Sequence, residues 1–433
     1  MSLILLVTVG GSPQPIITAI RSRSPQRVIF VCSSGANGSV SQVIDAGKPC
    51  KIRRGAEIID EQPNIPTQMG LGEHFNPETD VILLENPDDL TESYQLISRK
   101  IKELKQAHPD SKIDADYTGG TKTMSLALGM AALDYGLPLF LTTSTTRHNL
   151  IRVERGESTE RATTSAVTIE RTLDQTIPQL LQAFNYAGAI STLDSILQSV
   201  ELLPDQRKSI CQLRDQCKGF NAWDRFDHLS AWEFISQHMA KLQVQGMALG
   251  RVLSSRQGID PQFNSPNAIT SHGYELVEDL LRNTERRAHG QRYDDAVGRL
   301  YRALELLAQI RLKQQYEVET ANIDLVKIPE AVRESYITEL NPRTQKIQLP
   351  LIKSYTLLSQ FPDDVLGDHF QAQRNPLQNA LQIRNHSILA HGFTPVTAAT
   401  YQTYGLCIKN FIEEGLKLLA PNHQPLPQFP NRL

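Results

Sequence analysis

Near the end of the chain, Arg384, Asn385 and His391 stand within Arg384-Asn385-His386-Ser387-Ile388-Leu389-Ala390-His391. On a continuous α-helix, positions seven apart are rotated by about 700° and separated by about 10 Å along the axis. Arg384 and His391 would then share one face and reach the same phosphate, while Ile388 and Leu389 face the core. These types suit RNA cleavage, in which a ribose 2′-OH attacks the neighbouring phosphorus and charge grows on the non-bridging oxygens. The guanidinium stabilises that charge, and the imidazole exchanges or orients protons near neutral pH. Asn385 can orient the ribose or the other two side chains. No carboxylate cluster accompanies them, so no metal is inferred.

Spacing alone is weak grounds. Arg282, Asn283 and His289 repeat the pattern upstream, in a stretch crowded with Arg286, Arg287 and Arg292. That stretch reads as a basic connector able to touch RNA. Position separates the two pairs: Arg384 and His391 follow a strong amphipathic segment, Tyr293–Leu312, and immediately precede another, Pro395–Leu419.

A second constellation lies in the N-terminal half. Gly10-Gly11-Ser12-Pro13-Gln14 follows the apolar run Leu3–Val9, and Gly119-Gly120-Thr121-Lys122 follows Lys112–Thr118. Ser33 closes a further run, Arg27–Cys32. Glycines let backbone N–H groups approach a ligand, the following helix N-terminus favours anions, and Lys122 adds a formal charge. Two such loops at one sheet edge point to a ligand site; neither contains G-x-G-x-x-G or a Walker spacing, so a conventional dinucleotide or P-loop site is set aside.

The elements that position these residues change character midway. Up to about residue 155, short apolar runs (also Asp80–Leu84 and Pro138–Thr143) alternate with helical patterns, predicting an α/β Rossmann-like domain with a mostly parallel sheet. Leu150–Ile169 adds a hairpin before the boundary. From about Thr172 the period becomes helical, with Val297, Leu300, Leu304 and Leu307 on one stripe, so an all-α helical bundle is expected. Pro376–His391 reads as one of its helices, and the last dozen residues as a proline-rich tail. Trp223 and Phe226 are assigned to packing, Arg302 and Glu305 to an ion pair or surface charge, and His228 has no visible partner.

With 433 residues, two or three domains are expected. The net charge of −3 argues against non-specific coating of nucleic acid, although a local basic cleft escapes such a sum. Five scattered cysteines read as reduced thiols. No basic leader or membrane-length apolar run is seen, so a cytoplasmic protein without a membrane partner is expected.

Asp116-x-Thr118-x-x-x-Lys122 and the Gly10-Gly11-Ser12 turn resemble CARF domains, the CRISPR-associated Rossmann-like sensors. Arg384-Asn385-…-His391, late in a helical region, resembles the R-x(4–6)-H motif of HEPN ribonucleases. Their order resembles the Csm/Csx-type accessory ribonucleases of type III CRISPR systems. The resemblance implies a homodimer that binds cyclic oligoadenylate as an allosteric activator through Gly10, Gly11, Ser12, Gln14, Ser33 and Thr118 to Lys122. It also implies metal-independent cleavage of single-stranded RNA by Arg384, Asn385 and His391, leaving a 2′,3′-cyclic phosphate, with no cofactor and no DNA partner. The expected domains are 1–170 (sensor), 171–285 (helical insert, longer than the resemblance explains) and 286–433 (HEPN-like). The competing reading is a non-catalytic nucleotide-sensing regulator whose helical half binds a protein or RNA partner.

Overall fold

A computed structural model describes residues 2–35, 38–54, 57–143, 147–148, 152–153, 158–199, 202–267, 269–338, 340–388 and 392–433. The chain divides into two compact units, Met1–Glu170 and Arg171–Leu433.

In the first unit the strands are β1 (Leu3–Thr8), β2 (Arg27–Ser33), β3 (Cys50–Arg54), β4 (Glu57–Gln62), β5 (Val81–Leu84), β6 (Lys112–Asp116), β7 (Leu139–Thr143), β8 (Arg147–His148), β9 (Arg152–Val153) and β10 (Ser158–Arg161). The main sheet runs β10-β7-β6-β1-β2-β5, parallel except for β10, which pairs antiparallel with β7. β8–β9 forms a small hairpin. The two-stranded ribbon β3–β4 was not expected, because its exposed outer strand, Glu57–Gln62, lacks an apolar alternation.

β1 is buried on both faces, as a parallel central strand must be. Leu5 and Val7 pack with Ile16, Ile17 and Ile20 of α1 (Pro13–Arg23). Ile4 and Leu6 face the opposite layer, which holds Ile97 and Ile101 of α2 (Leu90–Ala107) and Met124 and Leu128 of α3 (Lys122–Asp134). β2 and β5 lie to one side of β1, and β6 and β7 to the other. The winding direction therefore reverses between β1 and β6, where open α/β sheets hold ligands.

The second unit is helical: α4 (Tyr186–Ser199), α5 (Pro204–Asp224), α6 (His228–Ile235), α7 (Met239–Ile259), α8 (Glu275–His289), α9 (Tyr293–Tyr316), α10 (Leu351–Leu358), α11 (Val365–His386) and α12 (Leu406–Leu419), with shorter turns between. One core joins α8 to α12, with Leu300, Leu304 and Leu307 of α9 against Tyr355, Phe370 and Phe411. Position 285/286 falls inside α8.

Several expectations for this half are corrected. α8, read as a basic connector, is a packed helix: Asn283 and Arg286 are buried, and Arg286 and Arg287 pair with Asp224 of α5. His228 does have a partner, Asp279, whose carboxylate accepts from Trp223 Nε1 at 3.0 Å and sits 2.9 Å from His228 Nε2. The proline-rich end is not a loose tail. Phe429 is buried beside Phe220 and Trp223 under the Arg286 guanidinium, and Leu426 N–H donates to Glu278.

Candidate functional site

In the first unit the two glycine loops meet at the β1/β6 switch point. A Cβ on Gly10 would lie 2.7 Å from the Gly120 nitrogen, and one on Gly119 would overlap the Thr8 carbonyl oxygen. Gly120 has φ +82°, a conformation that favours glycine. Gln42, not singled out from sequence, donates from Nε2 to the Gly10 carbonyl at 2.7 Å and holds the first loop.

The polar residues of these loops divide by what they already bond. Thr121 is the N-cap of α3: its hydroxyl accepts from Met124 N–H and donates to the Pro87 carbonyl. Ser33 exchanges hydrogen bonds with Ser39. Thr118 Oγ1 accepts from Thr142 N–H at 2.6 Å. The buried Asp116 carboxylate accepts from Thr118 N–H at 2.9 Å. Burial pushes the Asp116 pKa up, against the lowering effect of its bonds to Thr118 and Thr142.

Lys122 is exposed on the first turn of α3, and among the described residues it, the half-buried Gln14 and the half-buried Ser12 carry no hydrogen bond or ion pair from the side chain. The two helix ends are unequal. Pro13 and Pro15 remove two N–H groups from the start of α1, whereas α3 starts with Lys122 and Thr123. An anion is therefore favoured on the α3 side.

In the second unit, α11 carries the sequence motif. Asp364, buried just before α11, accepts from the N–H groups of Leu366 and Gly367 and takes Arg311 Nε and Tyr316 OH, both at 2.8 Å. This fixes the start of α11 to the end of α9. Further along, His369 Nε2 meets the Phe411 carbonyl at 3.1 Å. α11 starts at Val365 rather than Pro376 and runs through that proline.

α11 ends at His386, so the helical path to His391 is not followed. Gly392 N–H donates to the Ser387 carbonyl at 3.1 Å, and Thr394 N–H to the His386 carbonyl at 3.3 Å. A side chain at Gly392 would overlap that same His386 oxygen. The chain thus doubles back, and Val396 N–H is held by Asp294 in the first turn of α9. Arg384 lies on α11, and His391 lies outside the described residues. Asn385 is exposed, and Ile388, expected in the core, is 54% exposed. The helix carrying the next apolar stripe starts at Ala398, capped by Thr397 rather than at Pro395.

Sequence reading missed the surroundings of Asn385. A cleft of about 430 Å³ is lined by Tyr301, Gln378, Asn379, Gln382 and Asn385 over Leu351, Ile352 and Leu381. Gln378, Gln382 and Asn385 are spaced four and three apart on α11, a stripe that the sequence already contains. Asn379 and Gln382 also border a second cleft of about 320 Å³ that includes His386, Thr394 and Tyr404. Arg302 pairs with Glu305 at 2.6 Å on the surface of α9. Burial pushes the Cys32 and Cys217 thiols up to about 12, which makes them inert. Among the described residues no group of His, Cys, Asp and Glu is placed to hold a metal ion, and no helix is long and apolar enough to cross a membrane.

Residues 265–415 match the family model described as the Csm6 HEPN domain. Over nearly its whole length the chain is similar in fold to Enterococcus italicus Csm6 bound to cyclic hexa-2′-fluoro-hexa-dAMP. The TM-score is 0.54 at 12% identity, covering 98% of this chain and 96% of that one. Can2 from Sulfobacillus thermosulfidooxidans in complex with cyclic tetra-adenylate matches at 13% identity over 55% of this chain and 68% of that one. Its TM-score of 0.23 is too low to carry an argument. No curated protein matches the sequence. A Rossmann-like sheet unit followed by a helical unit bears out the expected architecture, and the match over residues 265–415 bears out the HEPN resemblance of the helical half.

Proposed function

We propose, from the premise that this is a CARF–HEPN chain of the Csm6 type, a cyclic-oligoadenylate-activated endoribonuclease that cleaves single-stranded RNA. The observation that carries this reading is the pairing of two features on one chain. One unit has two interlocked glycine loops at the switch point of a parallel sheet, and the other has a HEPN match spanning Arg384 and His391.

In the sensor unit, Gly10, Gly11, Gly119 and Gly120 bring backbone close to the ligand. Ser12, Gln14 and Lys122 face its polar and anionic groups. Ser33, Thr118 and Thr121 shape the loops through the bonds they already make. The ligand is a cyclic oligoadenylate shared by the sensor units of a homodimer. Its binding favours an arrangement in which the two Arg384/His391 sets form one cleft.

In that cleft the 2′-OH loses its proton and its oxygen bonds to phosphorus, while the bond to the 5′-oxygen breaks and that oxygen takes a proton. A 2′,3′-cyclic phosphate and a 5′-hydroxyl result. Arg384 stabilises the non-bridging oxygens, His391 handles a proton, and Asn385 orients the ribose. None of these roles calls on a metal ion.

The test is RNA cleavage in EDTA against a panel of cyclic oligoadenylates. Cleavage stimulated by one ring size supports the reading. No RNA loss with any ring favours a non-catalytic regulator acting through a partner.

A further inference from the structure

The C-terminal end of the chain is held as a peptide ligand is held. From Gln424 to Pro430 it forms neither helix nor strand, and among the described residues its backbone bonds no other backbone. Side chains of the helices take its main-chain groups instead. Arg251 of α7 donates to the Gln424 carbonyl at 2.8 Å, and Arg282 of α8 to that of Leu426 at 2.7 Å. Tyr186 of α4 donates to the Pro430 carbonyl at 2.8 Å, and Glu278 of α8 accepts from Leu426 N–H at 2.9 Å. The Gln428 amide donates to the Arg282 carbonyl and accepts from Arg286. Phe429 is the anchor. Its ring centroid lies 5.1 Å from that of Phe220, 4.9 Å from that of Trp223 and 3.6 Å from Arg286 Cζ.

The walls are tied to each other beneath this segment. Trp223 Nε1 donates to Asp279 and Arg286 Nε to Asp224, so α5 and α8 are joined without its help. Pro425, Pro427 and Pro430 fix φ and remove N–H donors, so the free segment is already extended and leaves its carbonyls open. Carbonyls bonded by side chains, prolines that lower the cost of ordering and an aromatic anchor in a pocket are the physics of peptide recognition. Tyr186, Phe220, Trp223 and Arg251 precede the HEPN-matching residues 265–415, and the segment follows them.

We infer that α4, α5, α7 and α8 form a peptide-recognition groove whose ligand is a proline-flanked segment with an aromatic anchor. The chain's own C-terminus fills it as a detachable strap, clasping the helices before the matched region to α8 within it. The tether gives the strap an effective concentration on the order of millimolar, so a free copy of the segment competes poorly in the wild type.

The test titrates a fluorescein-labelled peptide of residues 423–433 into the full-length Phe429→Ala variant, whose own strap has lost its anchor. Saturable binding is expected, tighter than to wild type, and at least about tenfold weaker when the peptide itself carries Phe429→Ala. No saturable binding to the folded variant, or equal binding of the two peptides, overturns the inference. Hydrogen exchange of the wild-type protein gives a second reading that needs no variant and decides if Phe429→Ala does not fold. The bonded amides of Leu426 and Phe429 are expected to exchange at least about tenfold faster than the buried amides of α5 and α8, by local release. Exchange of strap and helices together overturns the inference as well.

Discussion

Gly10 and Gly120 approach so closely that a Cβ on the first would lie 2.7 Å from the backbone nitrogen of the second. The two loops come from strands more than a hundred residues apart, yet backbone packs on backbone where they meet. The proposed ligand edge of the first unit is thus preformed by packing, with Gln42 securing the Gly10 carbonyl from the side. Side chains left without bonds, Lys122 above all, can then be given over to the ligand.

That packing predicts the effect of Gly119→Ala. The new methyl meets the Thr8 carbonyl, a backbone atom that cannot swing aside. Overpacking of this kind costs about 1–3 kcal/mol. Thermal unfolding is expected to show the loss, together with weaker binding of cyclic oligoadenylate in calorimetry. An unchanged midpoint would mean that the loops separate readily.

Lys122→Ala and Thr121→Ala are expected to separate ligand contact from loop shape. Lys122 is exposed, so its removal changes stability by under about 0.5 kcal/mol while weakening activator binding several-fold. Thr121 caps α3, so its loss costs about 1 kcal/mol. Wild-type activator affinity in Lys122→Ala would take that residue out of the sensor site.

Asp116 gives a pH-dependent prediction. Burial raises its folded pKa above the ordinary value of 3.8, so the folded state favours the protonated acid. Its contribution to stability is full below the unfolded pKa and is lost as pH rises through the folded pKa. Asp116→Asn removes that loss. The stability of the variant relative to wild type should therefore climb as pH rises from below 4 towards neutrality, read from denaturant unfolding at each pH. A difference that stays flat, or falls, contradicts the burial argument.

The packed C-terminus predicts that Phe429→Ala destabilises the helical unit by about 3–5 kcal/mol, the range for a buried aromatic. It also uncovers Arg286 and Trp223. A shift in the unfolding midpoint of a degree or less would mean that the tail is loose after all.

Local pattern carried much of this structure. Strand runs such as Leu3–Val9 and the glycine pairs that end them are short-range signals, and the sheet and the meeting of its glycine loops follow from them. Long-range packing was not legible. His228 and Asp279 are 51 residues apart, and nothing near either announces the pair. Phe429 is buried by helices far upstream, so a run of prolines around it looked like solvent-exposed chain. α11 continues through Pro376 because Asp364, tied to Arg311 and Tyr316, starts the helix earlier. It stops at His386, whose carbonyl accepts from the returning Thr394 N–H, while Gly392 N–H bonds the carbonyl of the following Ser387. The Arg282 repeat shows the reverse error: its arginines bond Asp224 and Glu285 within the fold.

The measurement that bears most directly on the central claim is RNA cleavage by full-length Arg384→Ala and His391→Ala beside wild type, with EDTA and a saturating stimulating cyclic oligoadenylate. Loss of a positioned acid–base or charge-stabilising group costs about 100-fold or more. Each variant is expected to fall at least that far while binding the activator as wild type does. Wild-type cleavage rates in both variants would contradict the assignment of these residues to the active site.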